Sequence, residues 1–351
     1  MSSTNMSFVL KQQNQFDFEE RKIPTIEDEN DVLLKILTVG ICGSDVHYWI
    51  NGRIGDFVVE KPIILGHETS AVVIKCGKNV TNLKEGDRVA IEPGVPCRRC
   101  QLCINGRYNL CSKVIFHATP PFDGTLCQYI THPEDFCFKL SDNLSNEEGA
   151  LIEPLSVAVH ACRRGNVTLG SKVLIIGAGT IGLVNLLVAK SLGADSIVVV
   201  DVNERRLQVA KELGAAFVIH IKNDLDTEEI VSKIKEHING LVDKTIECSG
   251  AANGLNLAIA ATISGGCVVI VGMGAPVVKA PLLNALIREV DIRGVFRYAN
   301  CYPAALSLIS QKRINVAPLI TKIFPFNEAE DAFKLVRSGE GVKIMIEVGK
   351  V

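Results

Sequence analysis

A cysteine, a histidine and carboxylates, spread over the first half of the chain, are the residues best suited to hold a metal ion. Cys42 is followed about two dozen positions later by Gly66-His67-Glu68, and Glu153 stands before Pro154 much further along. A thiolate, an imidazole and carboxylates are ligands that zinc prefers, and a catalytic zinc keeps one position open for substrate. These residues therefore predict a catalytic zinc site that folding assembles from separate segments.

A second metal site is indicated by four closely spaced cysteines, Cys97-x-x-Cys100-x-x-Cys103-x7-Cys111. Four thiolates within 15 residues suit a closed, tetrahedral structural zinc. A zinc ribbon that binds nucleic acid is the competing interpretation, but ribbons place two cysteine pairs a dozen or more residues apart. We assign this lobe no catalysis, because four thiolates leave no open position.

A nucleotide site is indicated by Gly177-x-Gly179-x-x-Gly182, which follows the apolar run Lys172–Ile176. After a buried strand and before a helix, such glycines permit a tight turn, close approach of a pyrophosphate and close helix–strand packing. Asp201 lies 19 residues beyond Gly182 at the end of the next strand, where a carboxylate accepts both ribose hydroxyls and repels a 2′-phosphate. NAD is therefore favoured over NADP. The arginines 205 and 206 could lie over the adenine or attract a phosphate, so they leave this preference open.

Two kinds of sequence pattern divide the chain. Short β-like runs broken by Gly, Pro and Asn fill the first part, as in 32–39, 71–75 and 87–92. From about Ser171, strands and helices alternate, with strands at 172–176 and 196–201 and a charged amphipathic helix at 227–238. This alternation predicts a doubly wound parallel sheet. After about Arg288 the alternation stops, and we expect the tail to rejoin the first domain. We place a catalytic domain at 1–153 and 290–351, and an NAD-binding domain at 154–289.

Composition limits the classes of partner. The 351 residues are 47% apolar and 22% charged, with a net charge of −2, which gives no reason to expect nucleic acid or a membrane as partner. Residues 1–14 lack the apolar segment of a signal peptide, so we expect a cytoplasmic protein. The uncharged stretch 173–189 is better explained as strand, turn and helix than as a membrane span. Without a secretory signal, we interpret the remaining seven cysteines as buried thiols. These are Cys76, Cys127, Cys137, Cys162, Cys248, Cys267 and Cys301.

Taken together, these stretches resemble the zinc-dependent medium-chain alcohol dehydrogenases. The resemblance runs from about Val32 to the C-terminus, and residues 40–48, residues 66–68, the four-cysteine lobe and the glycine turn occur in the family's order and spacing. Ethanol-type members carry a second cysteine ligand where this chain has Glu153. That glutamate is typical of the polyol branch, as are Arg98-Arg99 and Val295-Phe-Arg-Tyr298. The resemblance implies a β-rich GroES-like catalytic domain and a Rossmann domain, together an α/β fold.

The resemblance also implies a role for each matching residue. Cys42, His67 and Glu68 would hold the catalytic zinc, and Asp45 would orient His67. Glu153 would be a catalytic residue that lies against the zinc-bound water and could accept the proton. Ser44 would bond the substrate hydroxyl, and His47 could pass the proton to solvent. The implied substrate-binding residues are Tyr48, Ile54, Phe116, Thr119, Glu153, Arg297 and Tyr298. The implied cofactor-binding residues are Gly177, Gly179, Ile181, Gly182, Asp201, Arg206, Val271, Gly272, Met273, Val295, Phe296 and Arg297.

The predicted activity is the reversible, NAD-dependent oxidation of a polyol such as sorbitol to the 2-ketose. Two zinc ions per chain, one catalytic and one structural, are expected. Xylitol or another pentitol, or a threonine-type substrate, stays open as an alternative. A catalytically silent relative with a structural or binding role is the alternative from another class, and it would have lost a ligand or a glycine. The resemblance further suggests a homotetramer.

Overall fold

The computed structural model describes residues 4–222 and 226–350, which form two compact units. The first unit comprises the residues up to Glu153, Ala305–Ser310 and the residues from Ile320 onward. The second unit comprises Pro154–Ala304 and Gln311–Leu319. The return to the first unit comes after Ala304 rather than at 290, because one more strand, Asp291–Gly294, is paired within the second unit.

The secondary structure is as follows. The strands are β1 Asn5–Gln12, β2 Gln15–Arg21, β3 Asp31–Gly40, β4 Arg53–Ile54, β5 Phe57–Val58, β6 Ile63–Ile64, β7 Glu68–Cys76, β8 Arg88–Ile91, β9 Gly94–Val95, β10 Ile115–Phe116, β11 Tyr129–Pro133, β12 Cys137–Lys139, β13 Lys172–Ile176, β14 Ser196–Asp201, β15 Phe217–His220, β16 Val242–Glu247, β17 Thr262–Ile270, β18 Asp291–Gly294, β19 Ile320–Pro325 and β20 Lys343–Glu347. The α-helices are α1 Gly43–Asn51, α2 Gln101–Ile104, α3 Asn146–Ala150, α4 Ile152–Gly165, α5 Thr180–Ser191, α6 Glu204–Glu212, α7 Thr227–Ile238, α8 Gly254–Ala261, α9 Leu282–Ile287, α10 Tyr302–Ser310 and α11 Ala329–Arg337. Short 3-10 helices span Tyr108–Leu110, Glu134–Phe136, Ala317–Leu319 and Phe326–Glu328.

The first unit is built on a seven-stranded sheet in the order β12-β8-β7-β3-β20-β19, with β11 also paired to β3. The long strand β3 is antiparallel to β7 along one edge, and β11 and β20 share its other edge. Gly40 of β3 lies opposite both Glu68 of β7 and Met345 of β20. The pairing therefore brings the start of β7 and the strand β20, which are far apart in sequence, to opposite sides of Gly40.

The core of the first unit holds apolar side chains from the sheet and from α11. Leu34, Ile36 and Ile346 are inaccessible to solvent and belong to one cluster with Phe8 and Phe333. Phe8 stacks on Phe16 with ring centroids 4.4 Å apart. Close packing of this kind makes the sheet a rigid support for side chains at its edges.

The second unit contains a six-stranded parallel sheet in the order β15-β14-β13-β16-β17-β18. This is the strand order of a dinucleotide-binding fold, in which the chain reverses direction between the first and fourth strands of the sheet. The central strand β13 is apolar throughout after Lys172, as burial on both faces requires. Strands β13 and β14 and helix α7 match the predicted segments closely.

Helices α5 and α7 show two patterns of burial. From Gly182 to Ala189 every residue of α5 is buried, which accounts for the uncharged stretch noted in the sequence. In α7 the buried residues Ile230, Ile234 and Ile238 recur every four positions, so one face packs and the other carries charge. Among the described residues, no helix is long and apolar enough to cross a membrane.

Candidate active site

The first unit brings together the three residues expected to hold the catalytic metal. Ligand atoms of Cys42, His67 and Glu68 all lie within 4.8 Å of one another, and the last two residues are buried. Cys42 comes directly before α1, and Glu68 opens β7. A thiolate, an imidazole and a carboxylate converging in a buried place fit zinc, and three protein ligands leave a fourth position for substrate.

Asp45 organises the segments that carry these ligands. Its side chain is inaccessible to solvent, one oxygen accepts the N–H of Cys42 at 3.0 Å, and the other accepts the N–H of Gly66 at 3.1 Å. The second oxygen also lies 3.5 Å from Nδ1 of His67, which is longer than an ordinary hydrogen bond. Burial opposes ionisation, but His67 and the two N–H donors outweigh it and hold the pKa of Asp45 below its usual value. Asp45 thus holds the backbone at Cys42 and at Gly66 in place, and it faces His67.

Lys343 also contacts this set of ligands, although no sequence pattern singled it out. Its ammonium group donates to both oxygens of Glu68, at 2.8 and 2.6 Å, and to the carbonyl of Ile41 at 2.9 Å. Burial disfavours the charge, but Glu68, Cys42 and Glu153 outweigh that effect and raise the pKa of Lys343. The signal in the sequence was a single lysine at the head of the apolar run Lys343–Ile346.

Glu153 lies close to this cluster without belonging to it. It is buried in the first turn of α4, where its charge acts on Lys343 and on Glu92. Its ligand atoms are not among those that meet at the three-residue site. A buried carboxylate beside a metal site can hold or release a proton, which is the role that the resemblance implied for it.

The other predicted residues of the first unit lie on α1, on β4 and on or shortly after β10. Ser44 is half-buried and His47 is exposed one turn later on α1, so the pair runs from the site toward solvent. The ring of Phe116 lies 5.8 Å from the His67 ring, and Thr119 is bonded through its N–H to the carbonyl of Phe116. Tyr48 is buried and Ile54 is half-buried.

The four-cysteine lobe also has the geometry of a metal site. Ligand atoms of Cys97, Cys100, Cys103 and Cys111 lie within 4.8 Å of one another, with sulfur separations of 3.9 Å for Cys97–Cys103 and 3.4 Å for Cys100–Cys103. Backbone N–H groups lower the pKa of Cys97 to about 6, whereas burial and neighbouring thiols raise that of Cys103 to about 12. Without a cation the lobe cannot keep four thiolates, so its donor set fits a structural zinc.

In the second unit, the three glycines after β13 differ in the space around them. Gly177 has φ +96°, which side chains rarely adopt, and a Cβ on Gly182 would lie 1.8 Å from the carbonyl oxygen of Gly177. At Gly179, a Cβ would meet only Nη1 of Arg206, at 4.0 Å. The turn is therefore open at the second glycine, where a pyrophosphate would approach, and Arg206 stands beside it.

Asp201 terminates β14 next to this turn. One carboxylate oxygen accepts the N–H of Ala178 at 2.5 Å, and the other accepts the N–H of Asn203 at 2.7 Å. Asp201 therefore shapes the glycine turn as well as presenting a carboxylate at the place where ribose hydroxyls bind in this fold.

The remaining cofactor residues follow β17 and β18 at the same edge of the sheet. The loop Val271–Gly274 lies against Gly250, because a Cβ on Gly274 would be 1.8 Å from the Gly250 carbonyl oxygen. A cavity of about 90 Å³ opens here, lined in part by Glu247 and Gly272. Residues Val295–Tyr298 come directly after β18, with the Arg297 guanidinium 4.6 Å from the centre of the Phe296 ring. Tyr298 is buried, 5.6 Å from the Tyr302 ring.

Comparisons with known proteins agree with this geometry. Residues 28–142 match the family described as alcohol dehydrogenase GroES-like domain, and residues 180–311 match the family described as zinc-binding dehydrogenase. The chain belongs to the zinc-binding alcohol dehydrogenase family. This membership confirms the predicted fold class and the predicted class of enzyme, a zinc- and NAD-dependent dehydrogenase.

Individual relatives are similar over nearly their whole length. Sorbitol dehydrogenase of Gallus gallus is 52% identical over 98% of this chain and 96% of the relative, and that of Homo sapiens is 51% identical over the same shares. Among solved structures, L-idonate 5-dehydrogenase from Escherichia coli str. K-12 substr. MG1655 superposes with a TM-score of 0.91 at 30% identity, covering 99% of each chain. These relatives confirm the predicted resemblance to the polyol branch.

Proposed function

We propose that this protein oxidises sorbitol to the 2-ketose with NAD, reversibly, at the site formed by Cys42, His67 and Glu68. The observation that carries the proposal is the convergence of these three ligands within 4.8 Å in a unit that keeps Glu153 beside them. Support for the substrate comes from the sorbitol dehydrogenases that share about half of its residues over nearly the full chain.

The proposed chemistry assigns tasks to residues of this chain. When bound, zinc supplies Lewis-acid polarisation of the alcohol oxygen, and NAD supplies the hydride acceptor. Ser44 would bond the reacting hydroxyl, and exposed His47 would release its proton to solvent, with Glu153 as the buried proton acceptor nearby. A polyol needs polar groups around its hydroxyls, and Glu153 would supply one of them in the first unit.

Cofactor choice is assigned to Asp201. Its carboxylate would accept the ribose hydroxyls and repel the 2′-phosphate of NADP, which favours NAD. Arg206 stands beside the glycine turn, and we propose that it contacts the pyrophosphate side of the cofactor rather than a 2′-phosphate.

A steady-state panel of polyols with NAD and with NADP tests the proposal. We expect the highest kcat/KM for sorbitol with NAD, with xylitol next, because both present the same hydroxyl pattern near the reacting carbon. A panel led by threonine or by simple alcohols would contradict the substrate assignment. A protein that holds zinc in the lobe alone and turns over none of these substrates would point to the catalytically silent alternative.

We further propose that the protein acts in the cytoplasm as a homotetramer. Support for self-association comes from an exposed apolar face, made of α9 with Leu282, Leu283, Leu286 and Ile287, and of Ile292 on β18. Strand β18 pairs with β17 on one side, and no other described strand covers its outer edge. Two copies of β18 paired antiparallel about Ile292 would set Asp291 of each opposite Arg293 of the other.

A further inference from the structure

Lys343, at the start of β20, is a buried positive charge that must be compensated by its neighbours. Side chains of Lys343 and Glu68 are each only 2% exposed. All three N–H groups of the ammonium are used, two by Glu68 and one by the carbonyl of Ile41. An ammonium group out of contact with water is tolerated only when an anion and hydrogen-bond acceptors compensate for its lost hydration.

Glycine at position 40 makes room for the carboxylate of Glu68. This carboxylate occupies space that a side chain at position 40 would need, because a Cβ on Gly40 would lie 2.3 Å from Oε2 of Glu68. The same imagined atom would lie 3.3 Å from the sulfur of Met345. Sheet pairing of Gly40 with Glu68 and with Met345 therefore forms a slot that only glycine leaves open.

Lys343 and a metal ion would compete for the same carboxylate. Glu68 is one of the three residues whose ligand atoms converge, and both of its oxygens already accept from Lys343. A zinc ion bound there carries two positive charges close to the ammonium group, and like charges at such short range in a buried place repel strongly.

We propose that Lys343 is a positioning residue of the metal site: it holds Glu68 in place when no metal is bound, and it weakens the binding of zinc when metal is present. This inference rests on the proposed metal site of Cys42, His67 and Glu68. It predicts an effect of Lys343 on zinc affinity that a role in packing alone would not produce. Its loss should destabilise the metal-free protein and at the same time tighten the binding of zinc.

The experiment compares Lys343→Met with Lys35→Met as the matched control. Lys35 stands in the same sheet but donates to the carbonyl of Lys350 instead of to a carboxylate. Zn²⁺ is titrated into metal-free protein against a chromophoric chelator, with the lobe as an internal reference because its cysteines are not partners of Lys343. We expect the catalytic site of Lys343→Met to bind Zn²⁺ at least about tenfold more tightly than the wild type, with the lobe and the control unchanged.

Thermal unfolding supplies the second readout. The Tm of metal-free Lys343→Met should fall by about 5 °C or more, and Zn²⁺ should raise it by more than it raises the wild-type Tm. Zinc affinity at the catalytic site that is unchanged or weaker in Lys343→Met would overturn the inference. Wild-type protein with zinc in the lobe alone would instead remove the proposed function, so the two failures are distinguishable.

A second comparison covers the case in which Lys343→Met does not fold. In Glu68→Gln, Lys343 is buried without its anion, and removing the lysine as well should relieve that cost. We therefore expect the metal-free double variant Lys343→Met/Glu68→Gln to unfold at a higher temperature than Glu68→Gln alone. A double variant less stable than Glu68→Gln would show that the lysine contributes packing only, and the inference would be wrong.

Discussion

Glu153 is the single side chain whose removal tests the proposed proton transfer most directly. It is buried at the start of α4, within electrostatic reach of Lys343 at the metal site. We expect Glu153→Ala to lower kcat for sorbitol oxidation by roughly 10² to 10⁴, since a positioned acid–base group contributes about that much. NADH binding, measured by fluorescence, should stay within about twofold of wild type because the second unit is untouched. Undiminished turnover would refute the role of Glu153.

Asp201 combines cofactor recognition with support of the glycine turn. Its two oxygens accept the N–H groups of Ala178 and Asn203, so alanine at this position removes both bonds as well as the negative charge. We expect Asp201→Ala to weaken NAD binding by about tenfold or more, since each hydrogen bond lost to the ribose hydroxyls costs about 1 kcal/mol. Without the negative charge, kcat/KM with NADP should improve relative to kcat/KM with NAD.

The conservative variant Asp201→Asn separates the two effects. It keeps one acceptor oxygen at the turn but loses the charge that repels a 2′-phosphate. Its NADP/NAD ratio should rise while its thermal stability stays nearer to wild type than that of Asp201→Ala. If NADP remained unusable in both variants, Asp201 would not be the residue that excludes it.

At the scale of elements, the four-cysteine lobe is tied to the sheet by polar contacts outside the metal site. The hydroxyl of Tyr108, between Cys103 and Cys111, donates to Oε1 of Glu92 at 2.5 Å. Arg98 meets Asp135 through two hydrogen bonds of 3.1 and 2.7 Å, and its guanidinium lies 5.4 Å from the Phe136 ring centre. These contacts dock the lobe on the segment that follows β8 and on the 3-10 helix Glu134–Phe136.

Glu92 should make the stability of the fold depend on pH. Burial raises its pKa from 4.5 to about 7, despite the opposing bond from Tyr108. Because the folded state binds the proton more tightly, the effect favours folding below the unfolded pKa and is lost as pH rises through the folded pKa. Between pH 4.5 and about 7, ionisation of Glu92 should therefore reduce the free energy of unfolding by about 3 kcal/mol.

The isosteric variant Glu92→Gln tests this expectation. Free energies of unfolding measured in denaturant at pH 5 and pH 8 should differ less in Glu92→Gln than in the wild type. Tyr108→Phe is the control, because it removes the hydrogen bond but keeps the titrating carboxyl group. An identical pH dependence in wild type and Glu92→Gln would show that Glu92 does not contribute.

At the scale of the whole molecule, the proposed homotetramer rests on the exposed apolar residues of α9 and β18. Leu286 is 71% exposed in the middle of this face, whereas Leu169, 85% exposed, lies in a turn of the same unit away from it. Scattered exposed apolar residues are ordinary, but a contiguous set marks an interface. We expect Leu286→Glu to reduce the solution mass from that of four chains, measured by light scattering, and Leu169→Glu to leave it unchanged. An unchanged mass in Leu286→Glu would place the interface elsewhere.

The amino-acid sequence by itself determined the features that depend on short stretches of chain. Four cysteines within 15 residues, the glycine turn after an apolar strand and the alternation of strands and helices are local patterns, and local sterics and hydrophobic periodicity decide them. The segments predicted for β13 and α7 agree with the structure to the residue. The domain limit at 290 was less reliable, since it depended on whether Asp291–Gly294 would pair as a sixth strand.

Only the tertiary structure decided which polar side chains from different segments meet. Glu68 and Lys343 are separated by 275 positions, and Glu92 meets Tyr108 through the docking of the lobe. No periodicity or spacing encodes such pairs, because the environment of a buried charge is set by whichever segments fold against it. The ligands of the metal site could therefore be named from their residue types, but the lysine that shares one of them became visible only once β20 lay beside β3.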